Sequence, residues 1–217
     1  SPGGEVVASD LVFRKVMEAR EIKSVVSWMS GSGASGAYLI AAGSDTIVSH
    51  PSSITASIGC ILELSNLEGL YEKLGIKHRV FKSGEFKDDE GIYDSDTEGE
   101  ADQILQDLID ETYEDFISAI VLGRGMEESD VRAVADGRVL SGRSAQECGL
   151  VDELGDMDDA ISSVEDLVGE SDLTVVEYGV SGFWSSLYEY EQVFLNKFNL
   201  LPQRASYGVG LYYLLDM

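Results

Sequence analysis

Apolar and polar residues follow one another along the chain in patterns that predict alternating strands and helices. Short β-branched or apolar runs predict strands in residues 23–30, 45–50, 77–84 and 173–179, and a loop followed by a strand in 53–64. Helical spacing predicts helices after residue 4 and in residues 35–43, 66–76, 101–125, 128–137 and 144–155. Strands that alternate with helices favour an α/β fold with mainly parallel strand pairing.

The helix predicted over residues 101–125 has the clearest amphipathic pattern. Its apolar side chains fall on one broad face, which consists of Ile104, Leu105, Leu108, Ile109, Tyr113, Phe116, Ile117 and Ile120. We therefore expect this face to pack against the core. By contrast, residues 87–98 are polar and acidic and predict a loop.

Charge excludes some classes of partner. Acidic residues outnumber basic ones by 40 to 15, and the formal net charge is −25. A phosphate backbone or an anionic membrane surface would be repelled, so we expect no nucleic-acid partner. The acidic residues are spread along the whole chain, which fits a halophilic source where salt screens their repulsion. An ordinary acidic protein is the alternative.

The cysteine count, the length of the apolar runs and the first residues of the chain carry further information. Two cysteines, Cys60 and Cys148, are too few for a disulfide framework, and Cys60 lies in an apolar run that predicts burial. No apolar run is long enough to span a bilayer. The chain opens at Ser1 without an initiator methionine, which suggests that upstream sequence is missing.

Candidate chemistry begins at a corner of small residues, Gly31 to Ala37, with Ser35 in its middle. A strand enters this corner and a helix leaves it, so we expect the turn to hold the Ser35 hydroxyl exposed. Backbone N–H groups at the start of the helix could then bind a developing oxyanion. A close-packed turn is the alternative interpretation.

A serine nucleophile needs a base. The two histidines, His50 and His78, have no acidic partner nearby in sequence, which favours a structural or surface role for each. A lysine can serve where burial lowers its pKa, and Lys87 ends a predicted strand. Its neighbours Asp88 and Asp89 would favour the charged amine, which argues against a base there.

Four motifs in fixed order give a more specific indication. They are SPGG, GASGAYLIAAGSDTIVSHPSSITASIG, FKSGEFKD and DGRVLSGRSAQECGLVDELG, and they span Ser1 to about Asp159. In this combination the chain resembles the signal peptide peptidase A family of serine proteases, which are related to the Clp protease and crotonase folds. The resemblance implies a repeated β-β-α superhelix with a mainly parallel sheet and flanking helices.

The resemblance also implies site residues and roles. Ser35 would be the nucleophile and Lys87 the general base of a Ser/Lys dyad, with Ser57 holding the lysine amine. Backbone N–H groups near Gly3, Gly4 and Gly36 would form the oxyanion hole. The implied reaction is hydrolysis of cleaved signal peptides and other membrane-associated peptides, with no metal or cofactor required.

Two departures from the family pattern stand at tight backbone positions. Ala37 replaces a glycine after the nucleophile, and Ala56 replaces a glycine before Ser57. We expect both to be tolerated because no reactive atom is lost, although alanine would be strained wherever the backbone requires a positive φ. A strand that flanks the oxyanion glycines in this family is absent before Ser1.

The resemblance extends to organisation. A catalytic domain would occupy residues 1–170, and residues 171–217 would add a strand, a helix and an apolar tail that is either an oligomer contact or a ligand of the substrate groove. A homo-oligomer with active sites shared between subunits is implied. So is a membrane anchor upstream of this otherwise soluble chain, with the catalytic domain on the extracytoplasmic side.

Two other functions remain open. A viral prohead protease uses a related Ser/Lys site. A catalytically silent peptide-binding or assembly protein would fit the Asp88 and Asp89 pair and the missing N-terminal strand.

Overall fold

The computed structural model describes residues 1–64, 66–77, 79–88, 99–178 and 212–214. The strands in these ranges are β1 Gly3–Glu5, β2 Val26–Met29, β3 Ser32–Ala34, β4 Thr46–Ser49, β5 Ile54–Ala56, β6 Val139–Ser141, β7 Glu153–Leu154 and β8 Tyr212–Leu214. The helices are α1 Val6–Arg20, α2 Gly36–Ala42, α3 Glu68–Leu74, α4 Glu100–Arg124, α5 Glu128–Val134, α6 Gly142–Glu147 and α7 Met157–Val168. A 3₁₀ turn covers Glu85–Asp88.

Two small sheets organise the molecule. The first has the order β2-β4-β7 and is parallel throughout. The second has the order β3-β5-β6, in which β3 and β5 are parallel and β6 is antiparallel to β5. In sequence β2 is followed by β3, and β4 by β5, so the chain passes twice from the first sheet to the second. Helix α2 follows β3. The α/β class with mainly parallel pairing is therefore confirmed.

Helix α2 lies at the centre of the core and packs against α1 and α4. Helices α2 and α4 approach each other closely, since a Cβ added at Gly123 of α4 would clash with the carbonyl oxygen of Ala42. Tyr38 of α2 is fully buried, and its hydroxyl donates to the carbonyl oxygen of Leu150 at 2.9 Å. Burial raises the pKa of Tyr38, so the phenol stays a neutral donor.

Helix α4 is divided between the core and the surface. In its second half Phe116, Ile117 and Ile120 are buried, as predicted. In its first half Ile104 and Leu108 remain 47% and 43% exposed. The prediction that the whole apolar face packs against the core is therefore wrong for the first half, because the chain supplies no described element to cover it.

Other predicted elements divide in the same way. The strands at β2 and β4 and the helices at α1 through α5 are confirmed, and α2 and α3 end at the glycines Gly43 and Gly75. The helix predicted over residues 144–155 is confirmed at its start, as α6, but wrong at its end, where Glu153–Leu154 forms β7. The strands predicted in 77–84 and 173–179 are wrong over the described residues 79–84 and 173–178. In 53–64 the strand comes first, at β5, and not after the loop. Helix α7, which begins with a capping box of Asp156 and Asp159, was not predicted.

Candidate active site

Ser35 stands at the corner between β3 and α2, and its backbone is strained. Its φ is 53° and its ψ is −123°, a region that L-residues other than glycine rarely adopt. The Ser35 N–H donates to the carbonyl oxygen of Ala56 at 2.7 Å, which ties the corner to the end of β5. Such strand-to-helix turns hold the nucleophiles of several hydrolases.

The hydroxyl of Ser35 differs from the expectation in one respect. It was predicted to be exposed, but Ser35 is fully buried and its Oγ has no hydrogen-bond partner among the described residues. Buried polar atoms are nearly always paired, so an unpaired hydroxyl in the core marks a site with a requirement beyond packing.

The proposed oxyanion glycines approach the same corner from two directions. Gly36 is buried at the first position of α2. The N-terminal segment runs beside β3, because the Ala34 N–H donates to the carbonyl oxygen of Ser1 at 3.2 Å. Gly3 and Gly4 follow in β1, which packs against α2, and Gly3 has a φ of 111°. The structure thus brings the predicted N–H donors to the neighbourhood of Ser35.

Strand β1 is paired on one side by the chain's own C-terminal strand. Strand β8 is antiparallel to β1, with Leu214 opposite Gly3, Tyr213 opposite Gly4 and Tyr212 opposite Glu5. Strand β8 also packs against α1 and α2. A short extended segment therefore lies along the strand that carries the candidate oxyanion glycines.

Ser57 follows β5 directly and is buried. It and its neighbour Ala56 both have left-handed backbone, with φ values of 51° and 61°. The expectation that alanine is tolerated in place of glycine therefore has a cost at Ala56, where the backbone suits glycine. Ala37 carries no such cost because it lies inside α2.

A turn after α5 holds Ser57 from the other side. The Ser57 N–H donates to the carbonyl oxygen of Arg138 at 2.9 Å, and the Gly137 N–H donates to that of Ile58 at 3.1 Å. The guanidinium of Arg138 contacts both carboxylate oxygens of Asp136, at 2.7 and 2.5 Å. These hydrogen bonds lower the pKa of Asp136 to about 2, so the carboxylate is ionised at neutral pH.

A cavity of about 590 Å³ opens beside Ser57. The segment Ser57–Ile61 and the Ala135–Gly137 turn form one side, and Ile109, Asp110 and Tyr113 of α4 form the other. Cys60 on this wall and Cys148 elsewhere are half-buried and not joined in a disulfide, so the burial predicted for Cys60 is only partial.

Lys87 lies in the 3₁₀ turn and is exposed. Its backbone N–H donates to the carbonyl oxygen of Gly84 at 3.2 Å. Within the described part of the chain, no hydrogen bond joins its amine to Ser35 or Ser57. The structure therefore assembles Ser35, Ser57 and the glycines but leaves Lys87 apart from them.

Of the two alternative bases, His50 is not brought to Ser35 either. His50 is exposed, and its Nδ1 accepts the Ser52 N–H at 3.1 Å. His78 and Asp89 lie outside the described residues, as does the side chain of Asp88. Over the described ranges, no group of three or more His, Cys, Asp or Glu side chains could hold a metal ion. No helix in those ranges is long and apolar enough to cross a membrane.

Sequence reasoning missed the backbone partners of the site. The carbonyl groups of Ala56 and Arg138 hold the N–H groups of Ser35 and Ser57, but a carbonyl has no signature in the residue letters. The DGR stretch at residues 136–138 was assigned to packing, with an Asp136–Arg138 pair within it, and the structure has that pair. Its Asp-Gly-Arg turn chemistry was the available signal.

Comparison with known proteins places this geometry in a family. The model of peptidase family S49 matches residues 17–171, which is more than half of the chain. A candidate protease of Methanocaldococcus jannaschii is 41% identical over 83% of this chain and 58% of its own length. A candidate signal peptide peptidase SppA of Enterococcus faecium is 34% identical over 86% of this chain and 55% of its own. The chain thus spans little more than half the length of these relatives.

The comparison with solved structures matches an enoyl-CoA hydratase/isomerase from Marinobacter aquaeolei. It has a TM-score of 0.40 at 14% identity and covers 92% of this chain and 61% of its own. A peptidase from Plasmodium falciparum has a TM-score of 0.37 at 13% identity and covers 67% and 63%. The family match, together with the parallel α/β architecture, confirms the predicted Clp protease/crotonase-like fold class.

Proposed function

The chain belongs to peptidase family S49, the signal peptide peptidase A family of serine peptidases. From that premise we propose that it is a serine endopeptidase with Ser35 as nucleophile and Lys87 as general base. The observation that supports this most directly is the Ser35 corner. A strained backbone and a buried, unpaired hydroxyl occur together there, between a strand and a helix.

In this mechanism the neutral amine of Lys87 accepts the hydroxyl proton of Ser35 as Oγ attacks the peptide carbonyl carbon. The carbonyl oxygen becomes an oxyanion, which N–H groups near Gly3, Gly4 and Gly36 stabilise. The C–N bond then breaks, and the lysine ammonium returns its proton to the leaving amine. Water activated by Lys87 hydrolyses the acyl-enzyme. Each oxyanion donor is worth roughly 100- to 1000-fold in rate.

We propose further that a second copy of the chain supplies Lys87. Lys87 is exposed on a segment whose neighbours Phe81 and Phe86 are 87% and 41% exposed, so this surface is apolar and uncovered in one chain. Packing it against another copy would bury those side chains and could carry the amine towards Ser57. The proposed protein is therefore a homo-oligomer with shared active sites.

The proposed class of substrate is based on the pairing of strand β1. An extended peptide that adds to β1 would place its backbone beside the oxyanion glycines, and β8 already occupies that edge. This pairing favours groove binding over an oligomer contact for the tail of the 171–217 segment. The apolar and aromatic character of that tail supports apolar peptides, such as cleaved signal peptides, as substrates of the 1–170 catalytic domain. A membrane anchor upstream and a salt-rich host remain part of the proposal.

A silent peptide-binding protein is the second candidate. It is favoured because no described side chain makes a hydrogen bond to the Ser35 hydroxyl, whereas a serine nucleophile needs a base.

The test is cleavage of an apolar reporter peptide at high salt by the parent, Ser35→Ala, Lys87→Ala and the control Lys82→Ala. We expect both dyad variants to lose activity by roughly 1,000-fold or more while the control retains it. A Lys87→Ala variant that stays active would remove lysine from the mechanism and return His50 and His78 as candidate bases. A parent that binds the peptide without cleaving it would establish the silent binder.

A further inference from the structure

The Asp136–Arg138 turn contacts the strained segment beside the nucleophile, and we propose that Asp136 is a positioning residue that holds Ser57 and, through it, the Ser35 corner. The inference rests on the proposed function for its catalytic consequence. The contacts themselves are independent of which reaction the site performs.

The first step of the argument is strain. Ala56 and Ser57 are consecutive residues with positive φ, and Ser35 is a third. Left-handed backbone is unfavourable for every residue other than glycine. Consecutive strained residues persist only where contacts with the surrounding structure stabilise them by more than the strained backbone costs.

The second step identifies what fixes the segment. On one side, β3 pairs with β5, and the Ala56 carbonyl accepts the Ser35 N–H at 2.7 Å. On the other side, β6 pairs with β5, and the Arg138 carbonyl accepts the Ser57 N–H at 2.9 Å. The strained pair thus lies between the nucleophile corner and the turn.

The third step is the origin of the turn's rigidity. Asp136 Oδ1 accepts the backbone N–H of Arg138 at 3.1 Å, which closes an Asx-type turn, and its two oxygens also contact the guanidinium. Gly137 between them has a φ of 83°. The carbonyl that holds Ser57 therefore belongs to the residue that Asp136 fixes through both backbone and side chain.

An exposed ion pair by itself contributes little to stability. Asp136 would therefore be dispensable if its only role were the salt bridge. The chain provides a control in Glu114 of α4, which makes an exposed bidentate pair with Arg132 of α5. The carboxylate side chains of Asp136 and Glu114 are 52% and 53% exposed.

The experiment compares Asp136→Ala, Asp136→Asn and Glu114→Ala in the full chain. It measures kcat and KM with the reporter peptide, and hydrogen exchange at the Ser57 amide. We expect Asp136→Ala to lower kcat roughly tenfold at unchanged KM, since small misplacements of a reacting group are costly, and to accelerate exchange at Ser57. Asp136→Asn keeps the Oδ1 acceptor and should restore both quantities, and Glu114→Ala should change neither.

Equal behaviour of Asp136→Ala and Glu114→Ala in both measurements would overturn the proposal, as would failure of Asp136→Asn to restore them. Failure of the proposed function would look different. In that case cleavage would be absent or independent of Ser35, and the exchange rate at Ser57 would still decide whether Asp136 holds the segment.

Discussion

The two members of the proposed dyad lie in regions that differ in how completely one chain builds them. The nucleophile region, residues 32–60 with residues 135–142, has paired strands and a buried core. Backbone hydrogen bonds hold its three non-glycine residues of positive φ, which are Ser35, Ala56 and Ser57. The lysine region, residues 61–88, has one short helix and a 3₁₀ turn. Its exposed apolar side chains are Ile61, Leu64, Leu70, Leu74, Ile76, Val80, Phe81 and Phe86.

This difference separates two tasks. Strain at a nucleophile must be stored by a structure that is already rigid, so the nucleophile region has to be completed within the chain. A base can arrive with a separate surface, provided that the surface has a reason to dock. A contiguous series of exposed apolar side chains gives that reason, because soluble proteins rarely leave such side chains uncovered together.

The largest expected effect would come from mixing two inactive proteins. If the lysine region serves a neighbouring copy, unfolding and refolding Ser35→Ala together with Lys87→Ala should restore cleavage. With random assembly about one quarter of the sites would receive both intact residues, since each is present on half of the copies. Each variant refolded alone should stay roughly 1,000-fold below the parent.

The double variant Ser35→Ala/Lys87→Ala, refolded with the parent, is the control for this experiment, because it dilutes sites without supplying a missing residue. Cleavage that never exceeds the sum of the separate variants would break the comparison between the two regions. Lys87 would then have to reach Ser35 within its own chain.

A smaller effect is expected at β8, which pairs with the nucleophile region's neighbour β1. If this strand occupies the groove, weakening it should lower the apparent KM for the reporter about tenfold at unchanged kcat, because a tethered competitor acts at high effective concentration. Successive N–H groups in an antiparallel strand point to opposite sides. One of Tyr213→Pro and Leu214→Pro should therefore break the pairing, and the other is its matched control.

The steady-state constants distinguish the alternatives for β8. A fall in kcat in either proline variant would mean that the strand supports the oxyanion glycines and does not compete with substrate. Identical kinetics in both variants and in the parent would remove the tail from the groove.

The sequence predicted the nucleophile region better than the lysine region, for physical reasons. Small residues at a strand-to-helix junction and β-branched strands are local signals, and β2, β4 and α2 were found from them. The apolar run at 77–84 looked like a strand, yet residues 79–84 form none. An apolar run predicts that its side chains are buried, but it does not show which surface buries them. A run that remains exposed in a single chain is therefore mistaken for a buried strand.

Properties of the site residues were likewise predictable only in part. The family resemblance supplied Ser35, Ser57, the glycines and Lys87 alike, but only the first three are connected by strand pairing and backbone hydrogen bonds in the structure. The burial of Ser35 could not be predicted, since it depends on how the N-terminal segment runs beside β3. Nor could the positive φ of Ser57, because serine is not the residue that such a backbone favours.

The smallest expected effect concerns the strain itself. Ala34 and Ala56 are paired across β3 and β5 and are both fully buried, but only Ala56 has a positive φ, of 61°. Replacing either with glycine removes a buried methyl group, worth about 0.8 kcal/mol, and adds freedom to the unfolded chain, worth about 0.4–1 kcal/mol. At Ala56 the change also relieves about 1–2 kcal/mol of left-handed strain.

We therefore expect Ala34→Gly to lower the free energy of unfolding by about 1–2 kcal/mol and Ala56→Gly to leave it nearly unchanged. Urea denaturation of both variants measures the difference, and comparison of their slopes checks that unfolding exposes the same surface in each. If Ala56→Gly cost as much as Ala34→Gly, no strain would be stored beside Ser57. The rigidity of the nucleophile region would then come from its hydrogen bonds alone, without a strained backbone to hold.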